Sequence, residues 1–372
     1  MNKFKKIFLI IAVCICSSAY SVVEKNNFDL NDVSYLLPLP RTITHNVLQP
    51  IQRTVGAQYL EKLPRLSMLI PNNELFPKMH AVAIRLDPVN KQIRSVWQPI
   101  VVGPKFSSTT LDMAFHSFHQ LNENDFRLLI IKLKNWKIKS LHQPEIKVQP
   151  LGVHPLLSQY ENSVQIELQK IFFDYCSDKN LAKLTAMVLR GNEDMWAFMG
   201  IEKNSTGQFE PILIARTPNH MAQSYVNAAV PFETFDHAQM SGIGNSVKDN
   251  LNIVIKQIAE GPAFSEDEIK SAFQTVNRIE NPKYYSEDQL DCVHCHVSQS
   301  IRQVLDHKFS DQTLLLTDKY FNANFDLSNL TERKLNTRQI RGFGYFGSSP
   351  AISQRVINDS AEAASWLNQD FK

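Results

Sequence analysis

Glycine and proline are scarce, at 12 and 18 of 372 residues. That excludes collagen-like repeats and Gly/Pro-rich linkers. Cysteine is scarcer still, at five residues, too few for a fold built on disulfides. Neither sign of charge dominates, since 39 basic residues face 37 acidic ones. A near-neutral chain leaves no electrostatic footprint for nucleic acid. With 43% of residues hydrophobic, disorder is excluded as well. There is no fixed-period repeat and no low-complexity tract. No G-x-S-x-G elbow, P-loop or dinucleotide fingerprint occurs, so nucleophilic and nucleotide-dependent catalysis find no support.

What is present begins with an export signal. Residues 1–19 combine Lys3, Lys5 and Lys6 with an apolar stretch over 7–16 and small residues at Ser17, Ser18 and Ala19, the pattern of a cleavable leader. The apolar stretch falls short of the about 20 residues of a membrane span. A membrane location therefore follows only if the segment stays uncleaved, and a periplasmic or otherwise exported location is expected. Taking the three lysines from the 39 basic residues leaves 36 against 37 acidic ones. Three cysteines also remain: Cys176, Cys292 and Cys295.

Residues 20–262 are expected to form an α+β domain of unassigned role. Alternating apolar residues suggest strands over 80–86 and 93–102, joined by a polar turn. Apolar residues recur at i, i+3, i+4, i+7 over 124–136 and again over 162–176, giving two helices. A meander is expected over 184–189, 195–201 and 209–214. The pattern turns helical near residue 245. Ser265 with Glu268 forms a capping box, and Ser286 with Gln289 repeats it. His116 and His119 are spaced i, i+3 and are expected as a surface or core pair, with a helical metal pair as the sharper alternative.

The chemistry is concentrated in Cys292-Val293-His294-Cys295-His296. This C-x-x-C-H spacing lets two thiols add to the two vinyl groups of one haem, with the adjacent histidine under the iron. Chance produces the pattern in a chain of this composition roughly two times in a thousand, a low rate beside its reading as c-type haem attachment. Covalent attachment takes place outside the cytoplasmic membrane, which agrees with the leader. Two other readings of the same residues stay open: a redox disulfide between the cysteines, and a zinc site completed by a distant fourth ligand. His294 is expected to face solvent. Cys176 is expected as a core thiol.

Residues from about 285 to 372 resemble a class I cytochrome c domain, so 263–372 is expected as a cytochrome c-like haem domain. The motif is followed by a helix with Val297, Ile301, Val304 and Leu305 on one face. An irregular middle comes next, and then a terminal helix over 359–371 with Ala363, Trp366, Leu367 and Phe371 on one side. The resemblance implies a small all-α haem domain carrying one covalent haem c. It implies Cys292 and Cys295 as attachment residues, His296 as proximal iron ligand, and a terminal-helix aromatic covering the haem edge.

One departure matters. The family draws its sixth iron ligand from a methionine in the loop before the terminal helix, and residues 241–372 contain none. Candidates elsewhere are His307, Tyr345, and Met195, Met199, His220 or Met240 from the first domain. The loop itself carries Arg333, Lys334, Arg338 and Arg341, of which Arg338 and Arg341 are candidates for haem propionates. Its Gly342, Gly344 and Gly347 would permit close approach to a flat cofactor. The function expected is one-electron transfer by an exported mono-haem cytochrome with a protein redox partner. A peroxidase-like haem enzyme or a gas or redox sensor with an open distal site is the alternative, and a zinc-stabilised binding protein a third.

Overall fold

The computed structural model describes the chain except residues 1–21, 25–26, 42–45, 65, 67–72, 103–107, 141–144, 148, 160–161, 191–194, 213–221, 228–237, 242–248, 261–264, 287–288, 310–316, 329–339 and 372. The leader, His220, Arg333, Lys334 and Arg338 lie outside the described residues. The fold is α+β, centred on one antiparallel sheet.

In chain order the strands are β1 (Val22–Glu24), β2 (Ser34–Leu36), β3 (Met79–Asp87), β4 (Gln92–Val102), β5 (Ser108–Thr110), β6 (Met113–Gln120), β7 (Glu145–Lys147), β8 (Leu181–Arg190), β9 (Met195–Lys203), β10 (Phe209–Pro211), β11 (Ala222–Asn227), β12 (Ala238–Ser241), β13 (Phe343–Phe346) and β14 (Ser349–Ile352). The helices used below are α1 (Leu30–Val33), α2 (Ala57–Leu60), α3 (Glu123–Ser140), α4 (Pro155–Gln159), α5 (Asn162–Phe173), α6 (Leu251–Glu260), α7 (Glu266–Glu280), α8 (Cys292–Lys308) and α9 (Gln354–Asp370). The main sheet runs β12-β11-β9-β8-β6-β4-β3-β2, with β10 beside β9 and β5 beside β4.

Local chemistry explains most of these elements. β3 and β4 close through a turn in which Asp87 Oδ1 accepts from the Asn90 amide at 3.0 Å and Lys91 takes a positive φ of 53°. The α7 start has the expected capping box: Ser265 accepts from the Glu268 amide, and Glu268 accepts in return from the Ser265 amide. The second box keeps its return bond, from Ser286 N to Gln289 Oε1 at 2.8 Å.

Side chains alternate across a strand, and both faces of the sheet are covered. One face, with Trp97, Phe115, Leu184 and Met199, packs against Ile51, Val55, Leu60 and Phe76. The other carries Val96, Ala114, Met187 and Phe198, in one apolar cluster with α3, α5, α6, α7, α8 and α9. The segments on either side of residue 262 therefore share one core.

Two expectations and one alternative need correction. The helical metal pair does not form, because His116 and His119 lie on strand β6. Three residues apart on a strand puts them on opposite faces. The C-terminal segment is not all-α, because Phe343–Phe346 and Ser349–Ile352 pair as an antiparallel ribbon. Gln98 of β4 supplies the ribbon with a side-chain substitute for a strand partner: its Oε1 accepts from Tyr345 N at 2.8 Å, and its Nε2 donates to Tyr345 O at 2.9 Å. Gly347 makes the turn with φ +60°. Third, His294 does not face solvent but is fully buried.

Candidate functional site

Helix α8 starts at the motif itself. Asp291 is its N-cap, accepting from the His294 amide at 2.8 Å. On a helix, positions i, i+3 and i+4 share a face, so Cys292, Cys295 and His296 point one way. All three line a cavity of about 600 Å³ between this helix and the sheet. Position i+2 points the other way. His294 accordingly falls in the buried stripe with Val297 and Ile301. Its Nδ1 meets Asp291 Oδ2 at 2.6 Å, and its Nε2 accepts from the Leu251 amide at 3.2 Å. That amide is one of the donors a helix start leaves open, so His294 ties the beginning of α6 to the beginning of α8. The sequence signal was its i, i+3, i+7 spacing with Val297 and Ile301.

His296 is held at one nitrogen. Its Nδ1 lies 2.7 Å from the Ile340 carbonyl, which leaves Nε2 without a hydrogen-bond partner among the described residues. Burial lowers its pKa, against a rise from the Ile340 bond, and the charge of Arg341 lowers it further, which favours the neutral form that can ligate. The Ile340 segment is fixed in turn where Ser353 N donates to Gly342 O at 2.8 Å. Phe198 flanks the ring at 5.4 Å between centroids.

The two motif thiols are unpaired. Burial pushes Cys292 up to about 12, with Asp291 and Cys295 adding to the rise. Burial also raises Cys295. Redox-active C-x-x-C pairs depend on a lowered thiol pKa, and here the environment does the opposite. Among the described residues, no three His, Cys, Asp or Glu side chains converge as a metal-binding group. The thiols and the imidazole are instead spread along one wall.

The cavity floor is a grid of paired residues on β4, β6, β8 and β9. One row is Arg94, Phe118, Lys183 and Glu202. The next is Val96, His116, Thr185 and Gly200. A third includes Ala114, Met187 and Phe198. Arg94 and Lys183 both lie over the Phe118 ring, at 5.3 and 4.8 Å. The floor thus runs from a charged end to an apolar one. Arg85 of β3 extends the charged row beside Arg94, and Arg355 and Asp359 of α9 join it on the helical side.

The other candidates lie elsewhere. Arg341 is not among the cavity-lining residues; it pairs with Asp112 and lies over Trp196 at 5.3 Å and Phe346 at 4.9 Å. Tyr345 is buried, and its hydroxyl donates to Leu37 O at 2.7 Å, so it does not shape the cavity. Met199 is buried on the opposite face of the sheet, and alternation along β9 puts Met195 on that face too. Met240 lies on β12. His307 is exposed in the last turn of α8. Trp366 and Phe371 do not line the cavity. Of the three glycines, Gly342 faces His296, where an added Cβ would stand 3.7 Å from Cε1. Cys176 is buried at 1% exposure, and burial pushes its thiol up.

The residues of the cavity floor were missed from the sequence, among them His116, read as part of a surface or core pair, and Met187, read only as part of a strand. A strand assignment for 113–120 with period-2 alternation would have separated His116 from His119. Comparison with protein-family models, with curated proteins and with solved structures finds no match to this chain.

Proposed function

We propose that this protein is an exported mono-haem c-type cytochrome that carries single electrons to or from a protein partner. One observation carries the reading: Cys292, Cys295 and His296 open together onto one cavity, with His296 held at Nδ1 and open at Nε2. The cavity volume falls within the about 300–1,000 Å³ of ordinary cofactor sites. Its apolar walls suit a porphyrin. Arg94 and Lys183 offer positive charge suited to propionates, in place of Arg341.

In this reading residues 263–372 are a class I cytochrome c-like segment modified by a ribbon. Each thiol adds its S–H across one vinyl group, sulfur to one carbon and hydrogen to the other, with no net oxidation. When bound, the haem iron supplies a one-electron couple. The protein's part is to fix His296, exclude water and balance the propionate charge.

The test is expression of the full chain with a cytochrome c maturation system. The product is expected to carry one haem per chain that survives denaturing electrophoresis and acid-acetone extraction. The Cys292→Ala, Cys295→Ala double variant is expected to lose it. Zinc with no haem, or haem that extracts freely, overturns the reading.

A further inference from the structure

The floor of the cavity carries a second imidazole opposite the first. His116 sits in the middle row of the grid, between Val96 and Thr185. Its ring centre is 6.0 Å from that of His296, with 25° between the planes. A metal–imidazole bond is about 2.0 Å, and the ring centre lies roughly 1 Å further in, so two imidazoles on opposite sides of one metal have centres roughly 6 Å apart.

The two rings are held alike. His296 uses Nδ1 on the Ile340 carbonyl, and His116 uses Nδ1 on Thr185 Oγ1 at 3.2 Å. Neither Nε2 has a hydrogen-bond partner among the described residues. Engagement of one nitrogen is how proteins orient a ligating imidazole and fix its tautomer. A histidine walled by protein, bonded at one nitrogen and open to a cavity at the other is poised as a ligand rather than as a salt-bridge partner.

We infer that His116 is the second axial ligand of the iron held by His296, giving a bis-imidazole haem whose two ligands come from the sheet and from the motif helix. The inference rests on the haem reading and deepens it. It accounts for a distal loop without methionine, because the strand that floors the cavity replaces it. It also favours electron relay over ligand-binding chemistry, since both faces of the iron are closed. Met187 is the competing donor, one row along the floor on β8. Its buried thioether would make the iron histidine–methionine ligated instead.

The experiment uses the full-length holoprotein. Haem content is read first, by pyridine haemochrome. The ferric protein is then examined by electron paramagnetic resonance and near-infrared magnetic circular dichroism. The expected result is low-spin iron with the charge-transfer band of bis-imidazole ligation. His116→Ala should become high-spin, bind carbon monoxide when reduced, and return to low spin with added imidazole. His116→Met keeps a ligand in place; it should show the imidazole–methionine band and a more positive midpoint potential. A purely structural role for His116 would produce none of these shifts.

Absence of covalent haem in the wild type overturns the haem reading and this inference with it. Covalent haem with high-spin iron overturns the ligand assignment alone. So does a methionine band that Met187→Leu removes. A bis-imidazole band left unchanged by His116→Met also overturns the assignment, by pointing to another histidine. If His116→Ala fails to fold, His116→Met and the wild-type spectrum still decide.

Discussion

His294 spends both ring nitrogens inside the protein, on the Asp291 carboxylate and the Leu251 amide. Truncating it leaves a buried carboxylate and a buried N–H without that partner, and each orphan of this kind costs about 1–3 kcal/mol. His294→Ala is expected to lower stability by at least that much in urea titration and to reduce haem loading. A variant as stable as the parent would show the tie to be idle. His154 is the opposite case. Both its ring nitrogens are buried without hydrogen-bond partners among the described residues, and its ring stacks on Tyr35 at 5.2 Å and 2°. Burial lowers its pKa from 6.5 to about 4. Between those values the unfolded chain binds the proton and the folded chain does not. Its contribution is therefore intact above pH 6.5 and is lost as pH falls toward 4. His154→Phe keeps the stack and removes the titration. It should be more stable than the parent at pH 5, with the gap narrowing above pH 6.5. Equal gaps at pH 5 and 8 by thermal melting would refute this.

The ribbon of β13 and β14 docks on the sheet through the Gln98 amide and through Thr110, whose N–H donates to Gly347 O at 2.9 Å and whose hydroxyl donates to Tyr345 O at 3.1 Å. Gly344 stands there with φ +149°, and an added Cβ would meet Gln98 Oε1 at 2.6 Å. Gly344→Ala should displace Gln98, break both of its bonds to Tyr345, and lower the melting temperature by several degrees. In a Gln98→Ala background the same substitution should cost much less. A double-mutant cycle showing no coupling would mean the ribbon is held by something else. This element also marks where the sequence stops being legible. Capping residues and alternating apolar residues act over a few positions, so the Ser265 box and the β3–β4 hairpin could be read directly. Gln98 and Tyr345 are 247 residues apart, and nothing local announces an amide standing in for a strand. The same holds for the site. The motif helix was legible because its chemistry sits in five consecutive residues. The floor was not, because Phe118, His116 and Met187 become neighbours only once β6 and β8 pair.

The cavity exists only where the two halves of the chain meet, its floor from β4, β6, β8 and β9 and its opposite wall from α8 and α9. The same junction is stitched by buried contacts distant in sequence. Ser34 and Ser360 hydroxyls lie 2.6 Å apart. The Asn368 amide bonds both the N–H and the carbonyl of Phe28, at 2.7 and 2.9 Å. Arg85 reaches Asp359 at 3.4 Å, and Tyr345 reaches Leu37. Val293, Val297, Ile301, Ile357 and Leu367 belong to the same apolar cluster as Leu30, Val82 and Ile130. A 263–372 fragment would expose its share of that cluster and lose its partners for Tyr345, Ser360 and Asn368. The apolar area removed from water is the main favourable contribution to folding, at about 25 cal/mol per Å², and a segment of this size has little stability in reserve. The fragment is therefore expected to be aggregated or loosely ordered. Narrow amide dispersion in NMR and rapid cleavage in limited proteolysis would report this. Any haem attached to it would lack the residues of the floor, His116 among them, and its ferric iron should be high-spin while the full chain is low-spin. A fragment that unfolds cooperatively and reproduces the full-chain spectrum would show that the C-terminal segment builds its site alone.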